Sequence, residues 1–401
     1  MSFYIVAFCL SSPIEILKGF ARIVHSRDVL ITDYFVVGGI GPAFFNSAMV
    51  MTISLAIILI SKLNFSGLSI ASVIIMGGFA LFGKEPFNIL PILIGTMLYS
   101  IKQGSNPAKY IYIGFLATGV APIITELTLI LPFSTPINML ISCSVGIAIG
   151  YTIVPLSSHT VNMHMGYNIF NVGFAVGIIA LCVMTVISML GFKSETVLIW
   201  QEGRPLWLII ALFSYFTIVF LYGLYLSNFK LDDYFHLLKH PGRAVADFLL
   251  MDGIGATMIN MSTIGFIALG YILIIGGDLS GPVVGAILTI AGFGAFGIHT
   301  RNYPPILIGV FIASIVGIYT PTTPSFQLAA IFSGALSPIA GQYGIIAGIA
   351  AGFLHSAIVC NTGSLYSGMN LYNNGFSAGL VAIIMIPLLE AFLNENHKLR
   401  R

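Results

Sequence analysis

Charge is the scarcest commodity in this chain. Asp, Glu, Lys and Arg together supply 7% of 401 residues, where ordinary soluble domains carry about 25%. A water-exposed surface cannot be built from so few charged side chains. A basic excess is missing too: 16 Lys and Arg face 14 Asp and Glu, so nothing points to nucleic acid. Cysteine is sparse. Cys9, Cys143, Cys182 and Cys360 lie in apolar runs without a CxxC, and they read as buried free thiols with no disulfide framework or zinc site. No metal or other cofactor is expected. Signatures of soluble catalysis (HExxH, a nucleophile elbow, a phosphate-binding loop) are lacking as well. The first twelve residues have no basic n-region and run into Ser-Ser-Pro, so they do not read as a signal peptide.

What remains is apolar: 57% of the residues are hydrophobic, mean hydropathy is +1.00, and there are 43 glycines, which suit helices packed closely in lipid. A hydrocarbon layer needs about 20 apolar residues per helix. Candidate spans fall at 43–63, 68–83, 87–101, 137–155 and 172–190, then at 206–226, 257–275, 282–298, 304–319, 345–360 and 376–393. Three further stretches per half fit either a full span or a re-entrant hairpin, so roughly 12 to 16 membrane segments are expected. The alternating pattern of an outer-membrane barrel is absent. The expected fold is an all-α polytopic membrane protein with broken or re-entrant segments, multi-pass in the cell (inner, cytoplasmic) membrane.

An internal repeat is the strongest signal. Shifted by 214 residues, Asp33 falls on Asp247, Gly39-Ile40-Gly41 on Gly253-Ile254-Gly255, Asn46 on Asn260 and Asn88 on Asn302. Pro91 to Gly95 meets Pro305 to Gly309, and residues 33 to 95 give 22 identities in 63 positions without a gap. Apolar composition alone does not align Asp, Asn, Pro and Gly in this way. Further on, Ala121-Pro122-Ile123 matches Ser337-Pro338-Ile339, and Gly166 to Phe174 matches Gly368 to Phe376. The chain therefore divides into a first membrane repeat at 1–192, a linker at 193–205, a second repeat at 206–394 and a basic tail at 395–401. The apolar stretch that opens the first repeat is shorter than Leu206–Leu226, so the first helix reads as truncated. Lys18, Arg22 and Arg27 stand opposite Lys230, Lys239 and Arg243, which favours parallel copies by the positive-inside rule; one re-entrant segment per half would invert them.

Two related copies enclosing a pathway are a transporter architecture. Three recurring features are candidates for its site. Asn168 and Asn171 are three residues apart, as are Asn370 and Asn373; amides donate and accept, so they suit a neutral polar solute or a partly dehydrated cation, or else they join helices. Pro122 and Pro338 break a segment at equivalent places, which frees backbone groups or only kinks a helix. Glu126 follows the first break, with neutral Gln342 as its counterpart; a buried carboxylate there would couple a proton or cation. Asp33 and Asp247 are further coupling candidates or helix caps. His159 and His164 are proton-shuttle candidates or ordinary hydrogen-bonded histidines. Membrane-buried Lys and Arg look nearly lacking, with Arg301 at the interface, which argues against a large anion.

The two-copy pattern over nearly the whole chain resembles a family of bacterial membrane proteins catalogued as a tandem-repeat domain of unknown function, and the resemblance implies architecture without an activity. Gly166-Tyr167-Asn168 is also similar to the Gly-Tyr/Phe-Asn of urea channels, and Gly368-Met369-Asn370 fits in part, while their Asn-Asn-Pro is missing. The expected function is passage of a small polar or cationic solute at the repeat interface, with the lipid bilayer and a second copy of the chain as candidate partners. The four asparagines should converge there, with Glu126 opening onto the same cavity opposite Gln342. The alternative is an intramembrane enzyme using Glu126, His159 and His164; the residues favour a non-enzymatic protein.

Overall fold

A computed structural model describes residues 2–28, 31–107, 109–194 and 197–398. They are helical, with two isolated bridges and no named strand among them. The first copy contains α1 (Ser2–Leu10), α2 (Pro13–Val24), α3 (Tyr34–Val37), α4 (Ile40–Ile60), α5 (Gly67–Phe79), α6 (Pro86–Lys102), α7 (Ile111–Ala117), α8 (Ala121–Ile130), α9 (Thr135–Met163) and α10 (Asn171–Met189). The second contains α11 (Leu206–Leu226), α12 (Asp232–Leu237), α13 (Phe248–Ile274), α14 (Gly281–Phe293), α15 (Tyr303–Val316), α16 (Pro324–Phe332), α17 (Ser337–Tyr343), α18 (Ile345–Thr362) and α19 (Asn373–Lys398). Residues 399–401 of the basic tail lie outside the described residues, as do 195 and 196 of the linker.

Among the described residues eight helical segments are long and apolar enough to cross a membrane, or nine if the bent pair α1–α2 is one span. That is fewer than the dozen or more expected from hydropathy. Helices α5 and α14 have 13 residues each and α15 has 14. At 1.5 Å per residue such helices reach about 20 Å, short of a hydrocarbon layer about 30 Å thick. The thiols also differ from expectation: Cys9 and Cys182 are exposed on apolar helices and none is fully buried, because a face turned to lipid needs no burial inside the protein.

Shared polar residues explain why both copies fold alike. The Asn46 amide donates to the carbonyls of Ala80 and Lys84 at 2.7 and 2.8 Å, and Asn260 donates to those of Gly294 and Ile298 at 2.7 Å each. Each amide satisfies carbonyls freed where α5 or α14 ends. Helices α4 and α13 turn at Gly39 and Gly253, whose φ values of 101° and 83° suit glycine.

The copies meet along α5 and α14. Gly67, opening α5, faces Ala295 just past the end of α14; Gly281, opening α14, faces Leu81 just past the end of α5; Gly78 faces Gly285. The two helices therefore run antiparallel, and their pairing centres on Ile74 opposite Leu288, equivalent positions under the 214-residue shift. A pseudo-twofold axis passes between them, perpendicular to both helices. Equivalent short helices thus point in opposite directions. A second contact on the axis joins α10 to α19, where Gly173 faces Gly375 and the Phe174 and Phe376 rings stack at 5.8 Å.

Candidate functional site

The broken segments and the double-asparagine motifs meet at this axis. In each copy a short 3₁₀ turn, Thr118–Val120 or Ser333–Leu336, precedes the helix that Pro122 or Pro338 opens. Such a turn exposes carbonyls that an unbroken α-helix would consume. The other copy uses them: Leu371 N–H donates to the Gly119 carbonyl at 2.9 Å, and Ile169 N–H to the Ala335 carbonyl at 3.0 Å. Each motif thus stitches its own copy to the break in its partner.

Between these stitches lies a small cavity with ≈ 20 Å³ of free space, room for about one water. Its wall pairs equivalent residues across the axis: Phe79 with Phe293, Phe170 with Tyr372, Leu116 with Phe332 and Gly173 with Gly375. The rings of Phe79 and Tyr372 lie 4.6 Å apart, as do those of Phe293 and Phe170. In this state the centre is occluded by aromatic side chains.

One polar group breaks the symmetry of this cage. Lys84 is fully buried, and its ammonium donates to the Tyr372 hydroxyl at 2.6 Å and to the Met76 sulfur at 3.5 Å. It also lies 4.7 Å from the centroid of the Tyr372 ring and 5.3 Å from that of Phe79, and such contacts contribute about 2 kcal/mol each when desolvated. No carboxylate is within ion-pair distance of it among the described residues. Neighbouring Glu85 instead accepts from the backbone N–H groups of Phe87 and Asn88 at the start of α6. Among the described residues Lys84 is the one exception to the expectation that buried Lys and Arg are nearly lacking. The equivalent of Lys84 is Ile298, so comparison of the repeats passes over it.

A second polar cluster belongs to the first copy. The buried carboxylate of Asp28 accepts from Tyr34, from Thr125 at 2.9 Å and from Asn88 at 3.1 Å. Asp28 lies in the loop after α2, and desolvation raises it from 3.8 to about 7 against those hydrogen bonds. Beside it Arg27 pairs with Glu126 at 3.2 Å. At the equivalent places the second copy has Gly242, Phe248, Gly341 and Gln342, all uncharged.

The remaining candidates separate into joints and bystanders. Asn171 accepts from Thr160 and hydrogen-bonds His164, each at 2.8 Å, and donates to the Ser157 carbonyl at 2.9 Å. Asn373 repeats this with Thr362, Tyr366 and the Val359 carbonyl. Asn168 donates across the axis to the Gly375 carbonyl at 2.9 Å. In Asn370 the oxygen accepts from Tyr372 N–H, while the buried amide nitrogen lacks a hydrogen-bond partner. Of the four asparagines Asn168 bonds across the axis, and none of the four lines the cavity, because most of their amide capacity is spent on backbone and helix joints. Glu126 and Gln342 do not line it either. Glu126 is turned to Arg27, and Gln342 is exposed near the end of α17. Asp33 and Asp247 cap helix N-termini. His159 is exposed on α9, while buried His164 is a joint of the Asn171 network. Glu126 pairs with Arg27, and His164 with Asn171. Arg301 is exposed.

A family model described as "Protein of unknown function (DUF1576)" matches residues 12–189 and 226–391, one segment in each copy. The chain belongs to this family. No curated protein matches it. No solved structure does either.

Proposed function

We propose that this DUF1576 protein is a membrane transport protein whose two copies, inverted about an axis in the membrane plane, pass a small solute carrying an anionic or hydrogen-bond-accepting group through the aromatic cage between them. The observation that carries this reading is Lys84. Burial without a carboxylate makes the charged form of Lys84 costly and holds its pKa well below the ordinary lysine value. Rings and one hydroxyl offset part of that cost, and an arriving anion or polar oxygen offsets more. The same ammonium repels cations, so the reading departs from a cationic solute. Glycine contacts at Gly173 and Gly375 leave space for little more than a water, so passage requires the rings of Phe79, Phe293, Phe170 and Tyr372 to turn aside. The enzymatic alternative draws no support from the placement of Glu126, His159 and His164.

Flux into liposomes containing purified protein tests this reading, using chloride, nitrate, formate and phosphate beside neutral urea and glycerol. Flux of at least one anion above protein-free vesicles is expected. Lys84→Met should lower it more than about tenfold, the equivalent of 1.4 kcal/mol, and Lys84→Arg should keep part of it. No flux of any of these solutes, or full flux in a well-folded Lys84→Met protein, would sink the proposal.

A further inference from the structure

Helix α12 lies between spans α11 and α13 and carries the most polar stretch of the second copy. We infer that His236, His240 and Asp252 form a binding site for a divalent transition metal of the zinc class, which clamps α12 and the turn after it to the hinge at Gly253.

The ligand atoms of the three side chains all lie within 4.8 Å of one another. His236 Nδ1 is 2.7 Å from Asp252 Oδ1, and His240 Nε2 is 3.3 Å from Oδ1 and 3.1 Å from Oδ2. The Asp252 side chain is fully buried, while that of His236 is 60% exposed. Both imidazoles point at one carboxylate, and the buried Oδ2, 3.1 Å from His240 Nε2, is not in hydrogen-bonding geometry with it. A cation among the three groups satisfies that oxygen together with both ring nitrogens. Imidazole and carboxylate donors suit zinc, cobalt, nickel or copper, whereas calcium and magnesium prefer oxygen alone. Bond lengths of 2.0 to 2.2 Å in a tetrahedral site put neighbouring ligand atoms about 3.3 Å apart. The two His240 distances are already close to that, and exposed His236 has to withdraw by about 0.6 Å. Its solvent-facing side leaves the fourth position to water.

The duplication supplies an independent argument. In the first copy the equivalent positions are Arg22, Ser26 and Gly38. There the Arg22 guanidinium donates to the carbonyls of Val37 at 3.0 Å and Gly38 at 2.8 Å, tying α2 to the hinge at Gly39. One positive group performs that clamp. In the second copy His236 stands at the place of Arg22, and three metal-ligating groups gather there. A bound divalent ion would supply a fixed positive charge at the equivalent hinge, where Asp252 directly precedes Gly253.

Tag-free protein in detergent, incubated with Co²⁺ and separately with Zn²⁺, tests the assignment. The expected result is one ion per chain by equilibrium dialysis, visible absorption bands of four-coordinate Co²⁺, and a rise in Tm with Zn²⁺. His236→Ala, an exposed change that leaves the fold intact, should weaken binding by at least about tenfold and remove the Tm response. Asp252→Asn should do the same. The inference is overturned if the wild-type protein binds neither ion at that stoichiometry, or if His236→Ala binds both as tightly as wild type. Neither readout depends on solute flux, so the metal site and the transport reading fail separately.

Discussion

Asp33 and Asp247 cap each other's copies. The Asp33 carboxylate accepts from Gly281 N–H at 3.2 Å, at the start of α14 in the second copy, and from Gln201 N–H in the linker at 3.1 Å. The Asp247 carboxylate accepts from Gly67 N–H at 2.9 Å and Leu68 N–H at 3.4 Å, at the start of α5 in the first. Each also caps the helix that follows it. Two negative groups therefore sit at the positive ends of the two antiparallel short helices, related by the same axis.

From this exchange follows a stability prediction. Asp33→Ala and Asp247→Ala each strip caps from two helices and leave buried N–H groups without partners. Each should cost about 1 to 3 kcal/mol, and the pair should be similar because their surroundings are equivalent. Thermal unfolding followed by size-exclusion chromatography in detergent checks this. If either variant matches wild type, the cap between copies contributes nothing.

Close packing on the axis gives a second prediction. A Cβ on Gly285 would meet the Gly78 carbonyl oxygen at 2.2 Å, whereas one on Gly270 meets nothing within 4 Å. Gly285→Ala should therefore cost about 1 to 3 kcal/mol through forced backbone movement, and Gly270→Ala should stay within about 0.5 kcal/mol. Equal Tm values for the two variants would contradict the antiparallel helix contact.

The pseudo-symmetric frame was legible in the chain because Asp, Asn, Pro and Gly recur at matched places in the two copies, and each holds the same backbone joint twice. Asn46 and Asn260 bond matching carbonyls, and Pro122 and Pro338 open matching helices. The motif around Asn168 and Asn370 was legible as important, with solute binding and helix joining both open, since an amide reads the same whether it binds solute or backbone. Lys84 was invisible for a different reason: the partner position is Ile298, and a Lys-Glu pair reads as a solvated loop until Tyr372, 288 residues away, closes over it. The Asp28 network joins residues up to 97 positions apart, and no spacing rule brings those together. His236 and His240 are four residues apart in the sequence, but Asp252 joins them only through the fold.

Asp28 makes stability depend on pH. Its carboxyl is raised from 3.8 to about 7 by burial, so the folded state holds the proton more tightly than the unfolded chain. The stability this group contributes is complete below 3.8 and is lost as pH rises through about 7. Wild type should therefore lose stability relative to Asp28→Asn across that window, by up to about 1.4 kcal/mol per pH unit. Paired Tm measurements across the range check the sign. A gap that stays constant, or that moves in favour of wild type with rising pH, contradicts the assignment.

The last prediction separates the two partners of Lys84. In the occluded centre the ammonium is held by the Tyr372 hydroxyl, and a solute bearing an anionic oxygen must compete with that hydroxyl for the same proton donor. Phe170, the counterpart of Tyr372, shows that a ring without a hydroxyl fits the equivalent wall. Tyr372→Phe should thus fold, at the cost of one hydrogen bond to a charged group, about 1.5 to 3 kcal/mol. It should also bind the permeating anion more tightly, because the competitor is gone and the ammonium is left with the Met76 sulfur and two ring faces. If half of the lost bond energy reappears in binding, affinity rises by roughly three- to tenfold. Ligand-dependent Tm reads this without any flux assay, since stabilisation grows with the ratio of ligand concentration to Kd. The anion found in the liposome screen should raise the Tm of Tyr372→Phe more steeply than that of wild type, and should leave Lys84→Met unmoved. Identical dependence in all three proteins would mean that the solute does not meet Lys84.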